Sequence, residues 1–144
     1  MAAKRIEGVQ LAREADEILV MKPGGKWEAH ALNLSAAVVY DLCDGKTSKA
    51  EMAAAVQRRT GLPADEEIVD VALAELADAG LVTLVSPEVP TASRRAVIRR
   101  LGLTSAAVLL LPVVETILVP PASAQGSAPT PTPQLTPTPT PVDI

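Results

Sequence analysis

Asp70-Val-Ala-Leu-Ala-Glu-Leu-Ala-Asp-Ala-Gly-Leu-Val82 decides the fold. The stretch is a helix that stops at a glycine and turns at once into a strand. Gly80 supplies the stop, because a left-handed residue closes a helix end without steric cost. The helix starts around Pro63 to Asp65, and Asp65, Glu66 and Glu67 put negative charge in its first turn, where the helix dipole favours it. Val69, Leu73 and Leu76 form one apolar stripe, enough to pack a small core. Ile68, Val71, Ala72 and Glu75 form a second stripe, which faces either an intramolecular neighbour or a ligand.

Upstream lie two more helices. Ser48-Lys-Ala-Glu51 is a capping box: the serine hydroxyl takes the Glu51 amide and the glutamate reaches back to the serine amide. That helix shows Met52, Ala55 and Val56 to the core and ends at Thr60-Gly61. Before it, a helix opens at Asn33 or Ser35, both N-capping types, and runs to Cys43. Val38 with Leu42 and Val39 with Cys43 repeat at i,i+4 and mark its buried face. Further back, Glu17-Ile-Leu-Val-Met21 and Trp27 to Leu32 flank the turn residues Lys22-Pro-Gly-Gly-Lys26, which predicts a β-hairpin. A short strand near Val9–Ala12 precedes it. Downstream, Leu81 to Val85 is a closing strand, and Ser86-Pro-Glu-Val-Pro90 is a linker by composition.

The order is hairpin, three helices, strand: an α+β domain. The run His30-Ala-Leu-Asn-Leu-Ser35, then Tyr40-Asp-Leu-Cys-Asp-Gly45, Thr47, the capped helix and the Asp70–Val82 ending resembles the PqqD-like proteins over about residues 9–85. The resemblance implies a winged-helix-like domain, a short antiparallel sheet with three helices, that recognises the leader of a ribosomally made precursor peptide. It further implies presentation of that peptide to a modifying enzyme, a radical enzyme in pyrroloquinoline quinone biosynthesis. In that family the leader adds as an extra strand at the sheet edge and lies against the third helix. An open edge offers unpaired amides and carbonyls that an extended peptide satisfies. Mapped here, the edge is Trp27, Glu28, Ala29, His30, Ala31 and Leu32, and the helix face is Ile68, Val71, Ala72 and Glu75. Ile68 and Val71 fit a groove or the domain's own core equally well, whereas Leu73 and Leu76 read as core.

The chain goes on for more than fifty residues past the Gly-Leu-Val ending, a departure from PqqD proper. Arg94, Arg95, Arg99 and Arg100 precede the apolar run Leu101 to Val119, and Pro120-Pro-Ala-Ser-Ala follows. Paired arginines, an apolar core and Ala-Ser-Ala look like an export signal, but such signals stand at the N-terminus. A membrane span needs about twenty apolar residues, and Pro112 and Glu115 interrupt this run. The reading is an apolar helix that docks on the domain, on a partner, or on a membrane surface through residues 93–119, with the four arginines as contacts. Residues 126–144 are rich in Thr and Pro, a tract that favours polyproline II and builds no core, so it reads as a disordered tail. The expected division is therefore 1–90 peptide-recognition domain, 91–125 arginine-flanked apolar helical segment and 126–144 tail.

Composition excludes several function classes. Of 144 residues, 13 are Lys or Arg and 17 Asp or Glu, for a net charge of −4. The third helix carries Asp65, Glu66, Glu67, Asp70, Glu75 and Asp78 and no cation, which is wrong for a groove-reading DNA helix. Trp27 and Tyr40 are the whole aromatic set, too few platforms for a single-strand binder. His30 and Cys43 are each the sole residue of their type, so a Cys/His zinc site cannot be built. Cys43 reads as a core thiol rather than a nucleophile. His30 reads as a strand-surface residue, with a pH switch or peptide contact as the lesser alternative. Gly24-Gly-Lys26 lacks the first Gly and the Ser or Thr of a phosphate loop. No hydrophobic signal core opens the chain, and one cysteine requires no oxidising compartment.

With these classes set aside, the resemblance implies a non-catalytic, cytoplasmic leader-peptide chaperone without cofactor or metal and without nucleic acid as partner. Its partners are the precursor leader and the modifying enzyme. The alternatives are a membrane-associated adaptor acting through residues 93–125 and a winged-helix DNA-binding regulator.

Overall fold

The computed structural model describes residues 3–23, 28–84 and 93–118. Three strands run in sequence after a short first one: β1 (Ala3–Arg5), β2 (Gln10–Glu14), β3 (Glu17–Met21) and β4 (Glu28–Leu32). β3 pairs antiparallel with both neighbours, with Ile18 opposite Arg13 on one side and Leu32 on the other. Ile18 and Val20 alternate inward with exposed Glu17 and Met21, the two-residue period of a half-buried strand. The hairpin expected around the Lys22–Lys26 turn is thus present; Gly24 to Trp27 lie outside the described residues.

Three helices follow: α1 (Leu34–Asp41), α2 (Lys49–Thr60) and α3 (Glu66–Asp78). Their ends carry the caps the sequence signals. The Asn33 side chain accepts the Ala36 amide, Ser48 and Glu51 form the reciprocal capping box, and Asp65 accepts the Glu67 amide. Gly80 takes φ +71, which lets the chain leave α3 and enter β5 (Val82–Leu84). β5 pairs antiparallel with β1, Ala3 opposite Leu84, so the start of the chain closes over the end of the helical unit.

One core unites these elements. Val20, Leu32, Val39, Tyr40, Met52, Val56, Leu62, Ile68, Leu73, Leu76 and Leu81 are almost fully buried in it. Each such aliphatic side chain contributes about 1.5–3 kcal/mol of transfer free energy. Val97 and Leu111 belong to the same core, although they lie beyond the linker.

The region after the linker departs from the expected apolar helix. It forms α4 (Arg94–Leu101), a single turn α5 (Ser105–Val108) and a strand, β6 (Val114–Leu118). Gly102 at φ +58 ends α4, and Pro112 cannot continue a helix from α5. Val113, Val114, Thr116 and Ile117 are β-branched, and they extend. β6 joins the main sheet at its edge, giving the order β2-β3-β4-β6. Among the described residues no helix is long and apolar enough to cross a membrane. The expected linker, 86–90, and tail, 126–144, lie outside the described residues.

Candidate functional site

The site is built on the open side of β4. Its six expected residues have different surroundings. Trp27 lies outside the described residues. Glu28 is exposed, Ala29, His30 and Leu32 are buried, and Ala31 is half-buried. Along this edge β6 lies antiparallel, with Glu28 opposite Leu118, Ala29 opposite Ile117, His30 opposite Thr116, Ala31 opposite Glu115 and Leu32 opposite Val114. The edge that the sequence marks for an added peptide strand therefore carries a strand of the chain itself.

Asn33 anchors the start of this pairing. Its backbone amide donates to the Val113 carbonyl at 3.2 Å, and its side-chain oxygen accepts the Val113 amide at 3.0 Å. Its Nδ2 donates to the Leu111 carbonyl at 2.7 Å, and the same side-chain oxygen caps α1 through the Ala36 amide at 3.1 Å. Ser35 Oγ donates to the Leu110 carbonyl. One short polar segment, 33–35, thus both starts α1 and grips residues 110–113.

α3 forms the second wall. Ile68, Val71 and Ala72 are buried within the core, at 0–3 % exposure. Glu75 is half-buried and turns outward: its Oε2 accepts the Val114 amide at 2.7 Å. Burial pushes the Glu75 carboxyl above its ordinary range, against the opposing pull of the Val114 amide and of Arg94. His30 is buried at 2 % exposure, so it is not the strand-surface residue the sequence implied. Its Nδ1 lies 3.1 Å from Thr116 Oγ1, and Nε2 has no partner among the described atoms. Burial and nearby Lys22 hold its pKa below the ordinary value, partly opposed by Glu28.

The four arginines divide in two. Arg94 donates to the carbonyls of Val108 and Pro112 at 3.0 Å each, which folds the loop between α4 and β6 back on itself. Arg100 pairs with Asp65 at 2.6 Å and Glu67 at 2.9 Å, at the N-terminal end of α3. Arg95 and Arg99 are exposed. Asn33, Thr116 and Val114 were missed as site residues. The β-branched run from Val113 to Ile117 was the available signal for the added strand.

Elsewhere, Cys43 is buried and donates to the Val39 carbonyl, and burial pushes its thiol up to about 12. Among the described residues no group of three His, Cys, Asp or Glu side chains is placed to hold a metal ion.

The family model described as coenzyme PQQ synthesis protein D (PqqD) matches residues 17–82, from the start of β3 through α3 into β5. No curated protein and no solved structure matches the chain. The strands and helices that build the β4 edge and the α3 wall fall inside the matched range, and over those residues the chain is similar to the PqqD family.

Proposed function

We propose that this domain is a non-catalytic peptide chaperone, which binds the leader segment of a ribosomally made precursor peptide and presents it to a modifying enzyme, such as a radical enzyme. The observation that carries this reading is the occupied edge: β4 takes an antiparallel strand while Glu75 of α3 accepts that strand's first amide. Strand addition supplies affinity through the main chain, and neighbouring side chains supply selection. Three helices with a hairpin alongside also agree with a winged-helix-like arrangement, and the similarity of residues 17–82 to the PqqD family supports the role. A DNA-binding role fits poorly, because α3 and its N-cap Asp65 carry six acids and no cation.

The test is fluorescence anisotropy with labelled leader peptides from small genes beside this one, and a random DNA duplex as control. The protein is the full chain carrying Ile117→Pro, which loosens β6. Saturable binding at about 1 μM or tighter, weakened by Glu75→Lys, is the expected result. No binding to any leader by a chain that circular dichroism shows to be folded overturns the role.

A further inference from the structure

We propose that residues 93–118 are a tethered ligand of this same edge: the chain carries its own leader-like segment, and an external peptide gains the site only by displacing it. The inference rests on the peptide-recognition reading above and names the chemistry of the ligand.

The segment is held as a ligand is held, at three points. At its N-terminal end α4 lays Val97 into the core at 0 % exposure, and Arg100 reaches the paired carboxylates of Asp65 and Glu67. In the middle Leu111 is fully buried, and Asn33 and Ser35 bond the carbonyls of residues 111 and 110. At the C-terminal end β6 pairs with β4 over five residues. Yet most of β6 shows its side chains to solvent: Ile117 is 42 % and Leu118 73 % exposed. That is the signature of a strand held by its main chain, the mode in which extended peptides add to a sheet edge.

Magnitudes decide between a weak plug and a resident ligand. A short linker gives a tethered segment an effective concentration on the order of millimolar. If the segment alone binds at about 1 μM, an external peptide of equal affinity is held off by roughly a thousandfold. The ligand chemistry follows from the contacts: a helix bearing an arginine that meets the acidic start of α3, then an extended β-branched strand beginning fourteen residues later, at Val114.

The experiment titrates a labelled synthetic peptide of residues 93–118 into three full chains by fluorescence anisotropy. One is unaltered. The second carries Ile117→Pro: the Asn33–Val113 bond sets the antiparallel alternation, which points the Ile117 amide at β4, and proline removes it. The third has a protease site inserted between Ser86 and Thr91 and is nicked after folding, which cuts the covalent tether. The peptide is expected to bind the nicked and Ile117→Pro chains at least 100-fold more tightly than the unaltered chain. Equal binding to all three overturns the proposal, as does no binding by a nicked chain that remains folded. Precursor leaders that bind the opened chains where the 93–118 peptide does not leave the recognition role standing and remove the tethered ligand. The reverse pattern removes the separate precursor and keeps the resident segment.

Discussion

Glu75 Oε2 lies 2.7 Å from the backbone nitrogen of Val114, so one carboxylate on α3 holds the first amide of the strand that lines β4. This bond joins the helix wall to the strand at the point where β6 begins. Glu75→Gln keeps an acceptor there and is expected to leave β6 in place. Glu75→Ala strands a partly buried amide at a cost of about 1–3 kcal/mol. Hydrogen exchange of the amides of residues 114–117 is then expected to quicken by roughly 10- to 100-fold in Glu75→Ala and little in Glu75→Gln. Equal exchange in both variants would show that the carboxylate does not hold the strand.

His30 makes the pairing sensitive to acid. Its pKa is lowered from 6.5, first by burial and then by Lys22. The folded state therefore prefers the neutral ring, while the unfolded chain takes a proton at the ordinary value. The sign follows: the stability His30 allows is fully present above the unfolded pKa and is lost as pH falls below it toward the folded value. Denaturation in urea at about pH 7 and about pH 5 is expected to show a lower midpoint in acid, and His30→Gln is expected to flatten that component. An unchanged pH slope in His30→Gln would remove His30 as its source.

Asn33 serves α1 and residues 111–113 at once, so its loss is felt twice. Asn33→Ala removes the cap and leaves the Val113 amide and Leu111 carbonyl without their side-chain partner. A loss on the order of 3 kcal/mol is expected, read as a fall in urea midpoint at constant slope. Asn33→Asp keeps the oxygen that accepts the two amides but loses the donor to Leu111, and its loss is expected to be smaller. A fall below about 0.5 kcal/mol in Asn33→Ala would mean that the bonds contribute no net stability.

Cys43 is expected to be inert in the native protein. A thiol buried and pushed up to about 12 holds almost no thiolate at neutral pH. Iodoacetamide is expected to label it only when denaturant opens the core, as mass spectrometry would show. Fast labelling of the folded chain would contradict the buried placement.

Asp44 accepts the amides of Lys46 at 2.8 Å and Thr47 at 2.7 Å in the turn between α1 and α2. These bonds hold its carboxyl near 2, below the ordinary 3.8. The contribution is complete above the ordinary value and is lost as pH falls toward 2. Carboxyl NMR titration is expected to find Asp44 ionising near that pH, and an ordinary value would mean that the turn opens in solution.

The elements that sequence revealed are those whose cause is local. Ser48 and Glu51, Asp65 with its acidic neighbours, and Gly80 each mark a helix end from within a few residues. β1 and β6 depend on partners far along the chain, Ala3 with Leu84 and Glu28 with Leu118, and no short window contains both members of either pair. The run Leu101–Val119 drew attention by its length and hydropathy, which favoured a helix. Its β-branched end and Pro112 pointed to a strand, and the open edge of β4 decided the matter. At the site, the β4 edge and Glu75 entered through the resemblance to the PqqD-like proteins, and the structure lays β6 along that edge with its Val114 amide on Glu75. The burial of His30 was not, because Thr116, the partner across from it, comes from the far end of the described chain.

The β4–β6 pairing has a consequence for copy number. A separate peptide leaves its receptor as both are diluted, since association is second order. A strand that belongs to the same chain closes by a first-order equilibrium, so the fraction of closed molecules is the same at any protein level. A cell that makes few copies of this chain holds the edge as fully covered as one that makes many.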